Sequence, residues 1–286
     1  MKTSLSIFFS LCLLLSCKEQ GKDEQQKPEV PEPSEPVAEV DWDDATLAWS
    51  DEFDGDAVDT DKWKFETGAN GWGNNEWQNY TSGPNSTVSD GLLKITAKKE
   101  GAGQRVGDYT SSRMLSKETF TYGRMEVRAR IPEWKGKGVW PAIWMLGDNI
   151  SQVGWPDCGE IDMMEYVSYA PNEVHFTIHS KANNHVQGTQ ITTGPMKLET
   201  IEEEFHNYGI LWTERYVKLY LDDIDNVKLT FNKPTVPTQD NWPFDKPFFF
   251  LLNIAVGGNW GGLQGVDDNI FPSTMEVDYV RVYQFE

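Results

Sequence analysis

Short runs in which apolar and polar residues alternate recur along most of the chain, and they restrict its fold more than any other feature. The clearest runs are Leu92–Ala97, Tyr122–Arg130, Val174–His179, Tyr208–Trp212, Val217–Leu221, Phe248–Val256 and Val277–Tyr283. Turn residues separate them, and no segment sustains the roughly 3.6-residue period of an amphipathic helix. This pattern is typical of an antiparallel β-sandwich or barrel. Since we find no internal repeat, we predict a single all-β domain over residues 44–286.

The residues before that domain differ in composition. A short basic start precedes the apolar run Leu5–Leu15, which indicates a secretory signal over residues 1–16 and is too short to span a bilayer. The run ends at Leu14-Leu-Ser-Cys17, which resembles the lipobox of bacterial lipoproteins and predicts lipidation of Cys17. An ordinary cleaved signal with an incidental cysteine is the alternative. Residues 17–43 are acidic and rich in proline, which predicts a disordered tether.

These features predict a protein anchored by lipid to the cell envelope, and they leave open whether it faces the periplasm or the outside. The formal net charge of −20 excludes nucleic acid as a natural partner and disfavours strongly sulfated polysaccharides. Cys12 lies in the signal and Cys17 would carry lipid, so Cys158 has no partner for a structural disulfide. We interpret Cys158 as a buried packing residue, and we expect a monomer that contacts membrane only through its anchor.

Three carboxylates fall within the apolar segment that runs from Gly159 to Val167. On a regular strand Glu160 and Asp162 would share a face and Glu165 would point away from them. One extra residue, a β-bulge near Met163 and Met164, would return Glu165 to that face. The segment therefore predicts a bulged strand that presents a row of three acids.

A row of buried acids could bind a metal, form a structural network or perform acid–base chemistry. Calcium usually takes mixed carbonyl and carboxylate oxygens from loops, so a rigid strand is a poor cage for it. Retaining glycosidases place two carboxyl groups roughly 5 to 5.5 Å apart, one as nucleophile and the other as general acid and base. Because neighbouring carboxylates resist ionising together, one glutamate can keep its proton while the other stays an anion. The pattern favours catalysis.

The sequence resembles glycoside hydrolase family 16 over most of the predicted domain, from about Leu47 to Tyr283. Glu160-Ile-Asp-Met-Met-Glu165 is similar to the E-x-D-x-x-E signature of that family, in the bulged form found in laminarinases. Other segments match in the family's order: Trp49–Phe53, Gly71–Glu76, Tyr122–Arg124, Trp140–Gly147, Trp155-Pro156, Phe205-His206, Asn253–Trp260 and Val277–Tyr283. The resemblance implies a β-jelly roll of two curved antiparallel sheets, with a substrate cleft along the concave face.

The resemblance also implies roles for the three acids. Glu160 would be the nucleophile, Glu165 the general acid and base, and Asp162 the assisting carboxylate, with retention of anomeric configuration. No cofactor would take part in catalysis. Family members often hold one structural calcium ion away from the cleft, and its ligands would correspond to Glu52, the Gly91 carbonyl and Asp278; a surface Asp278 without an ion is the alternative.

Candidate substrate-binding residues follow from the same resemblance. They are Asn75, Arg113, Trp140, Trp144, His179 and Trp260. The tryptophans would stack on sugar rings, although one of Trp140 and Trp144 could instead belong to the core. Asn75 and Arg113 could equally be a surface polar pair. His175 and His179 have the spacing of a zinc-binding helix, but their segment alternates like a strand, so we expect His179 to orient the leaving sugar.

The function predicted is an endo-acting β-1,3-glucanase of the laminarinase type, with β-glucan polysaccharide as its partner. A mixed-linkage β-1,3-1,4-glucanase is the first alternative, although the bulged motif differs from the shorter E-x-D-x-E form of strict lichenases. A galactan hydrolase such as an agarase or carrageenase shares the fold and motif. A noncatalytic glycan-binding lipoprotein is the alternative from another class, and the intact row of acids argues against it.

Overall fold

The computed structural model describes residues 40–131, 134 and 136–285. In chain order the strands are β1 Thr46–Asp51, β2 Trp63–Glu66, β3 Gln78–Tyr80, β4 Ser86–Ser89, β5 Leu92–Lys99, β6 Tyr109–Ser111, β7 Arg113–Ser116, β8 Gly123–Arg130, β9 Val139–Gly147, β10 Glu160–Glu165, β11 Glu173–His179, β12 Ile191–Thr192, β13 Met196–Lys197, β14 His206–Trp212, β15 Tyr216–Leu221, β16 Val227–Asn232, β17 Phe248–Val256 and β18 Ser273–Gln284. One short α-helix, α1 Ile150–Val153, and two 3₁₀ turns, Trp42–Asp44 and Asp268–Ile270, complete the described elements. None of the helices in these ranges is long and apolar enough to cross a membrane.

The strands form two large sheets. The first has ten strands in the order β16-β15-β14-β8-β18-β5-β6-β3, with β1 paired to β18 and β4 paired to β5. The second has eight strands in the order β12-β11-β10-β9-β17-β7-β2, with β13 paired to β11. Pairing is antiparallel except between β3 and β6. The predicted all-β sandwich is therefore confirmed.

The core lies between the two sheets and follows the alternation in the sequence. In β8 every second residue is buried, and those residues are Gly123, Met125, Val127 and Ala129. All nine residues of β17 are buried, as expected for a strand that lies inside its sheet between β9 and β7. Strands β9 and β10 are also largely buried, which fixes the backbone of the acid-bearing strand at the centre of the second sheet.

The folded part begins before the predicted boundary at residue 44. Trp42, which falls in the predicted tether, is buried and its ring lies 5.4 Å from that of Phe285. The residues around Trp42 are mostly acidic, so their composition predicts a tether despite the one aromatic side chain. The contact of Trp42 with Phe285 was therefore not predicted. The predicted signal, Cys17 and nearly all of the tether lie outside the described residues and stay predictions.

Candidate active site

The bulge in β10 is present where the sequence predicts it. On β9 the pairing partners of Glu160, Asp162 and Glu165 are Leu146, Trp144 and Ala142. On β11 their partners are His179, Thr177 and His175. The partners on each neighbouring strand are two residues apart. Along β10, however, Asp162 and Glu165 are three residues apart, and the register shifts after Asp162 against both β9 and β11. The three acids therefore share one face of the sheet.

That face forms the floor of a cleft with a volume of about 880 Å³. Its lining includes eight of the residues named from the sequence: Arg113, Trp140, Trp144, Glu160, Asp162, Glu165, His179 and Trp260. Trp140 and Trp144 are both half-buried, so neither is a core residue. Asn75 does not line the cleft directly; its Nδ2 donates to Oδ1 of Asn259, a lining residue, at 2.9 Å. The fold thus brings almost the whole predicted site together.

Glu160 has the neighbours that best support a carboxylate anion. The indole Nε1 of Trp155 donates to Glu160 Oε2 at 3.1 Å, and His179 Nε2 lies 3.6 Å from Oε1. Burial and the adjacent Asp162 charge nevertheless raise the pKa of Glu160 to about 8, while His179, Arg113 and Trp155 oppose that rise. The anion is therefore costly but is stabilised by specific partners on one side.

Glu165 lies at the other end of the row and favours the protonated form more strongly. Burial raises its pKa well above the ordinary value and the charges of Asp162 and Glu160 raise it further, while hydrogen bonding by Trp140 and Thr177 opposes the rise. Burial also raises the pKa of Asp162. Because three such close carboxyl groups cannot all ionise near neutrality, at least one proton stays on the row. The neighbours favour Glu165 as its holder and Glu160 as the anion.

Histidines and tryptophans flank the two ends of the acid row. At the Glu160 end, Trp155 lies edge-on to His179 and is tilted against His185, with ring centroids 5.9 and 4.9 Å away. At the Glu165 end, Trp260 lies edge-on to Trp140 and His175 at 5.1 and 4.9 Å. Burial lowers the pKa of His175 and His179, which favours neutral imidazoles near the acids. Flat aromatic surfaces on both sides of an acid row suit a chain of sugar rings.

Arg113 occupies one wall of the cleft between two indoles. Its guanidinium carbon lies 4.7 Å from the ring of Trp144 and 5.3 Å from that of Trp72. Glu66 Oε2 accepts from Arg113 Nε at 2.6 Å. This arrangement makes Arg113 part of the cleft wall, whereas Asn75 is exposed; a substrate-binding role for either residue stays a prediction.

The sequence reasoning missed several residues of the cleft. They are Glu66, Trp72, Glu76, Trp155 and His185. Trp72 and Glu76 stand in the Gly71–Glu76 segment and Trp155 in the Trp155-Pro156 pair, both of which carried the family resemblance without being assigned a role. The positive φ of Gly71 and Gly73, 81° and 82°, explains why glycine flanks Trp72 in that loop.

Cys158 is fully buried and unbridged. Burial raises the pKa of its thiol to about 12, so it stays a protonated packing residue despite standing two positions before Glu160.

The predicted calcium ligands are engaged with arginines. Both carboxylate oxygens of Glu52 accept from Arg281, at 3.0 and 2.7 Å, and Asp278 accepts from Arg128. Gly91 lies in the turn between β4 and β5 with a φ of 72°. A calcium ion at these residues would require the arginine pairs to open, so the fit is incomplete.

One other group in the described ranges has the donor atoms of a cation site. Ligand atoms of Glu160, Asp162 and His179 lie within 4.8 Å of one another. A cation there would occupy the oxygen atoms needed for attack on a sugar. A cation at this position would therefore conflict with the nucleophilic role predicted for Glu160.

A bulged strand that offers three carboxylates to an open cleft with aromatic walls defines a glycoside hydrolase. A model of the family described as "Glycosyl hydrolases family 16" matches residues 73–281, and the chain belongs to this family. It is 43% identical to a beta-glucanase of Rhodothermus marinus, over 97% of this chain and 93% of that protein. It is 39% identical to a glucan endo-1,3-beta-glucosidase of Cryptopygus antarcticus, over 82% of this chain and 90% of that protein.

The fold agrees with the sequence comparison. The laminarinase structure from Rhodothermus marinus superposes with a TM-score of 0.77 at 44% identity, covering 85% of this chain and 98% of that chain. The two-sheet sandwich described above is thus the jelly roll of this family, and the predicted fold class is confirmed.

Proposed function

We propose that the protein is an endo-acting, retaining β-glucanase that hydrolyses β-1,3-glucosidic bonds in laminarin-type glucans. One observation carries the proposal: the bulge in β10 puts Glu160, Asp162 and Glu165 on one face, in a cleft lined by Trp140, Trp144 and other aromatic residues. The names of the two relatives given above supply the substrate class.

The geometry supports a double displacement. Glu160, held by Trp155 Nε1–H, attacks the anomeric carbon, and the glycosidic C–O bond breaks as Glu165 gives its proton to the leaving oxygen. Glu165, now a carboxylate, then takes a proton from water, and the water oxygen displaces Glu160 from the sugar. The configuration at the anomeric carbon is retained because it is inverted twice. Asp162 lies between the two and raises the pKa of each by its charge.

A mixed-linkage β-1,3-1,4-glucanase is the second candidate for the substrate. The observation that favours it is the similarity of this chain, at 40% identity and a TM-score of 0.76, to the structure of a non-specific endo-beta-1,3(4)-glucanase of the same family. A galactan substrate is less well supported, because a net charge of −20 disfavours the sulfated galactans that a carrageenase cuts.

The lipid anchor at Cys17, the envelope location and the monomeric state belong to the same proposal. Their support is the sequence alone: the signal over residues 1–16, the lipobox-like segment and the acidic tether. Metabolic labelling with a palmitate analogue would test the anchor, with Cys17→Ser as the control that should lose the label.

Calcium bound at Glu52, Gly91 and Asp278 also stays a proposal. It would stabilise the domain by joining distant parts of the chain rather than take part in catalysis. If calcium binds there, adding it raises the Tm of the wild-type protein and leaves that of Asp278→Ala unchanged.

The function is tested by incubating the protein with laminarin, lichenan, agarose and carrageenan and identifying the products. We expect oligosaccharides from laminarin, with retained anomeric configuration in the first product. Release from lichenan alone would favour the mixed-linkage alternative. A Glu160→Ser variant should release no sugar, and equal release by variant and wild type would remove the proposed mechanism and its nucleophile.

A further inference from the structure

We propose that Glu76, Tyr80 and Asn253 form a hydrogen-bonded relay that positions the indole of Trp144 for glucan binding. The proposal rests on the proposed function, because the cleft must hold a glucan for the position of Trp144 to matter. Glu76 lines the cleft, is only 5% exposed, and is too far along the chain from β10 to belong to the row of acids. A buried carboxylate outside the reacting row needs another role, since burying its charge is costly.

At the Trp144 end, the chemistry of the indole fixes which atoms of the relay donate and which accept hydrogen bonds. An indole Nε1–H can only donate, and Asn253 Oδ1 accepts from it at 2.8 Å. The amide nitrogen of Asn253 must therefore face the other way, where it donates to the hydroxyl oxygen of Tyr80 at 3.1 Å. The hydroxyl hydrogen of Tyr80 is then free to point at Glu76 Oε2, 3.5 Å away.

The direction is fixed independently at the Glu76 end. The backbone N–H of Val256 donates to Gln78 Oε1 at 2.8 Å, so the amide nitrogen of Gln78 donates to Glu76 Oε2 at 2.6 Å. Asn74 Nδ2 donates to the other oxygen at 3.1 Å. Three donors thus converge on one side chain, and an ionised carboxylate can accept from all of them.

The relay supports both indoles that enclose Arg113. Trp144 is held through Asn253, and the ring of Trp72 lies edge-on to that of Tyr80 with centroids 5.1 Å apart. Arg113 lies between the two indoles. A sugar that stacks on Trp144 therefore meets a ring whose plane is set by buried polar groups before binding, which lowers the entropy lost on association. Tyr80 and Glu76 act on the substrate through Trp144 and are positioning residues.

The relay is tested by Tyr80→Phe, which keeps the ring beside Trp72 and removes the oxygen that joins Asn253 to Glu76. Binding of a β-1,3-glucan oligosaccharide is measured by calorimetry with Glu160→Ser present throughout to prevent cleavage. We expect Kd to rise roughly five- to tenfold, because the Asn253 amide loses its buried acceptor.

Tyr208→Phe is the matched control. Tyr208 is fully buried, and its hydroxyl has no hydrogen-bond partner among the described residues, so the same chemical change there should leave Kd unchanged. The second control is Trp144→Phe, which removes the indole donor. In that background Tyr80→Phe should change Kd less than about twofold, because the coupling between the two sites is already lost.

The outcomes separate the relay from the function on which it rests. Equal effects of Tyr80→Phe with and without Trp144→Phe, or an effect no larger than that of Tyr208→Phe, would overturn the relay alone. If the parent protein binds no glucan, the proposed function fails and the relay fails with it.

Discussion

In the proposed mechanism, the hydrogen bond from Trp155 to Glu160 helps to set the pH at which Glu160 becomes an active nucleophile. In Trp155→Phe the aromatic ring stays and the Nε1–H that lies 3.1 Å from Glu160 Oε2 is removed. A hydrogen bond to a charged group contributes roughly 1.5 to 3 kcal/mol, and about 1.4 kcal/mol corresponds to one pKa unit. Because the bond stabilises the anion, its loss should raise the pKa of Glu160 by about one to two units, from the wild-type value of about 8.

The assay is the pH dependence of kcat/KM on laminarin. Attack requires ionised Glu160, so kcat/KM rises with pH through the apparent pKa of this group in the free enzyme. The ascending limb should therefore move about one to two units to higher pH in Trp155→Phe, with roughly a ten- to hundredfold loss of kcat/KM on the acid side of the wild-type limb and a much smaller loss above both limbs. Because the three carboxyl groups interact, the apparent pKa of this limb belongs to the row of acids together and not to Glu160 alone.

Trp242→Phe is the control for this experiment, because Trp242 Nε1 also donates to a carboxylate, that of Asp245 at 2.9 Å, outside the cleft. Its ascending limb should match the wild type. An unshifted limb in Trp155→Phe, or a loss of kcat/KM by the same factor at every pH, would refute the role of the indole N–H in stabilising the anion.

Three further predictions follow from the contacts described above. Glu165→Gln should lower kcat on laminarin by roughly 10²- to 10⁴-fold in initial-rate assays, because the leaving oxygen loses its proton donor, and unchanged kcat would exclude Glu165 from that role. Trp260→Ala should raise KM on the same substrate severalfold by removing the ring that contacts Trp140 and His175; an unchanged KM would show that sugars do not stack there. Arg281→Gln should cost at most about 1 kcal/mol in urea unfolding, because its pair with Glu52 is about one-third exposed and screened by water. Arg281 lowers the pKa of Glu52 below its ordinary 4.5, so this cost should be complete above pH 4.5 and vanish as the pH falls through the lower folded-state pKa; a constant cost would point to packing instead.

The row of acids could be predicted from the sequence because strand geometry is local. An alternation of two residues per repeat is fixed by the backbone, so an acid at an odd spacing such as Glu165 must either face away or follow a bulge. The apolar residues around Glu165 predict that the segment is buried. Only a bulged strand places the three buried acids on one face, where they can act together. No knowledge of distant parts of the chain was needed for that step.

Contacts between distant segments could not be predicted in the same way. Glu52 and Arg281 are 229 positions apart in sequence, and their pairing depends on the register of β1 against β18. Trp144 and Asn253 are likewise brought together by the register of β9 and β17. Contacts of this kind depend on how whole sheets pack. The alternation of residues in the sequence shows which face of a strand is buried, but it does not show which strand lies beside it.

The different roles proposed for Glu160 and Glu165 depend on what lies at each end of β10 rather than on the two side chains, which are chemically identical. At the Glu160 end the loop between α1 and β10 supplies an indole N–H from Trp155, and Arg113 supplies positive charge. At the Glu165 end, burial and the charges of Glu160 and Asp162 raise the pKa together, so the same carboxyl group keeps its proton. A residue inserted in the strand aligns the acids, and the unequal surroundings of its two ends make one of them an anion and the other an acid.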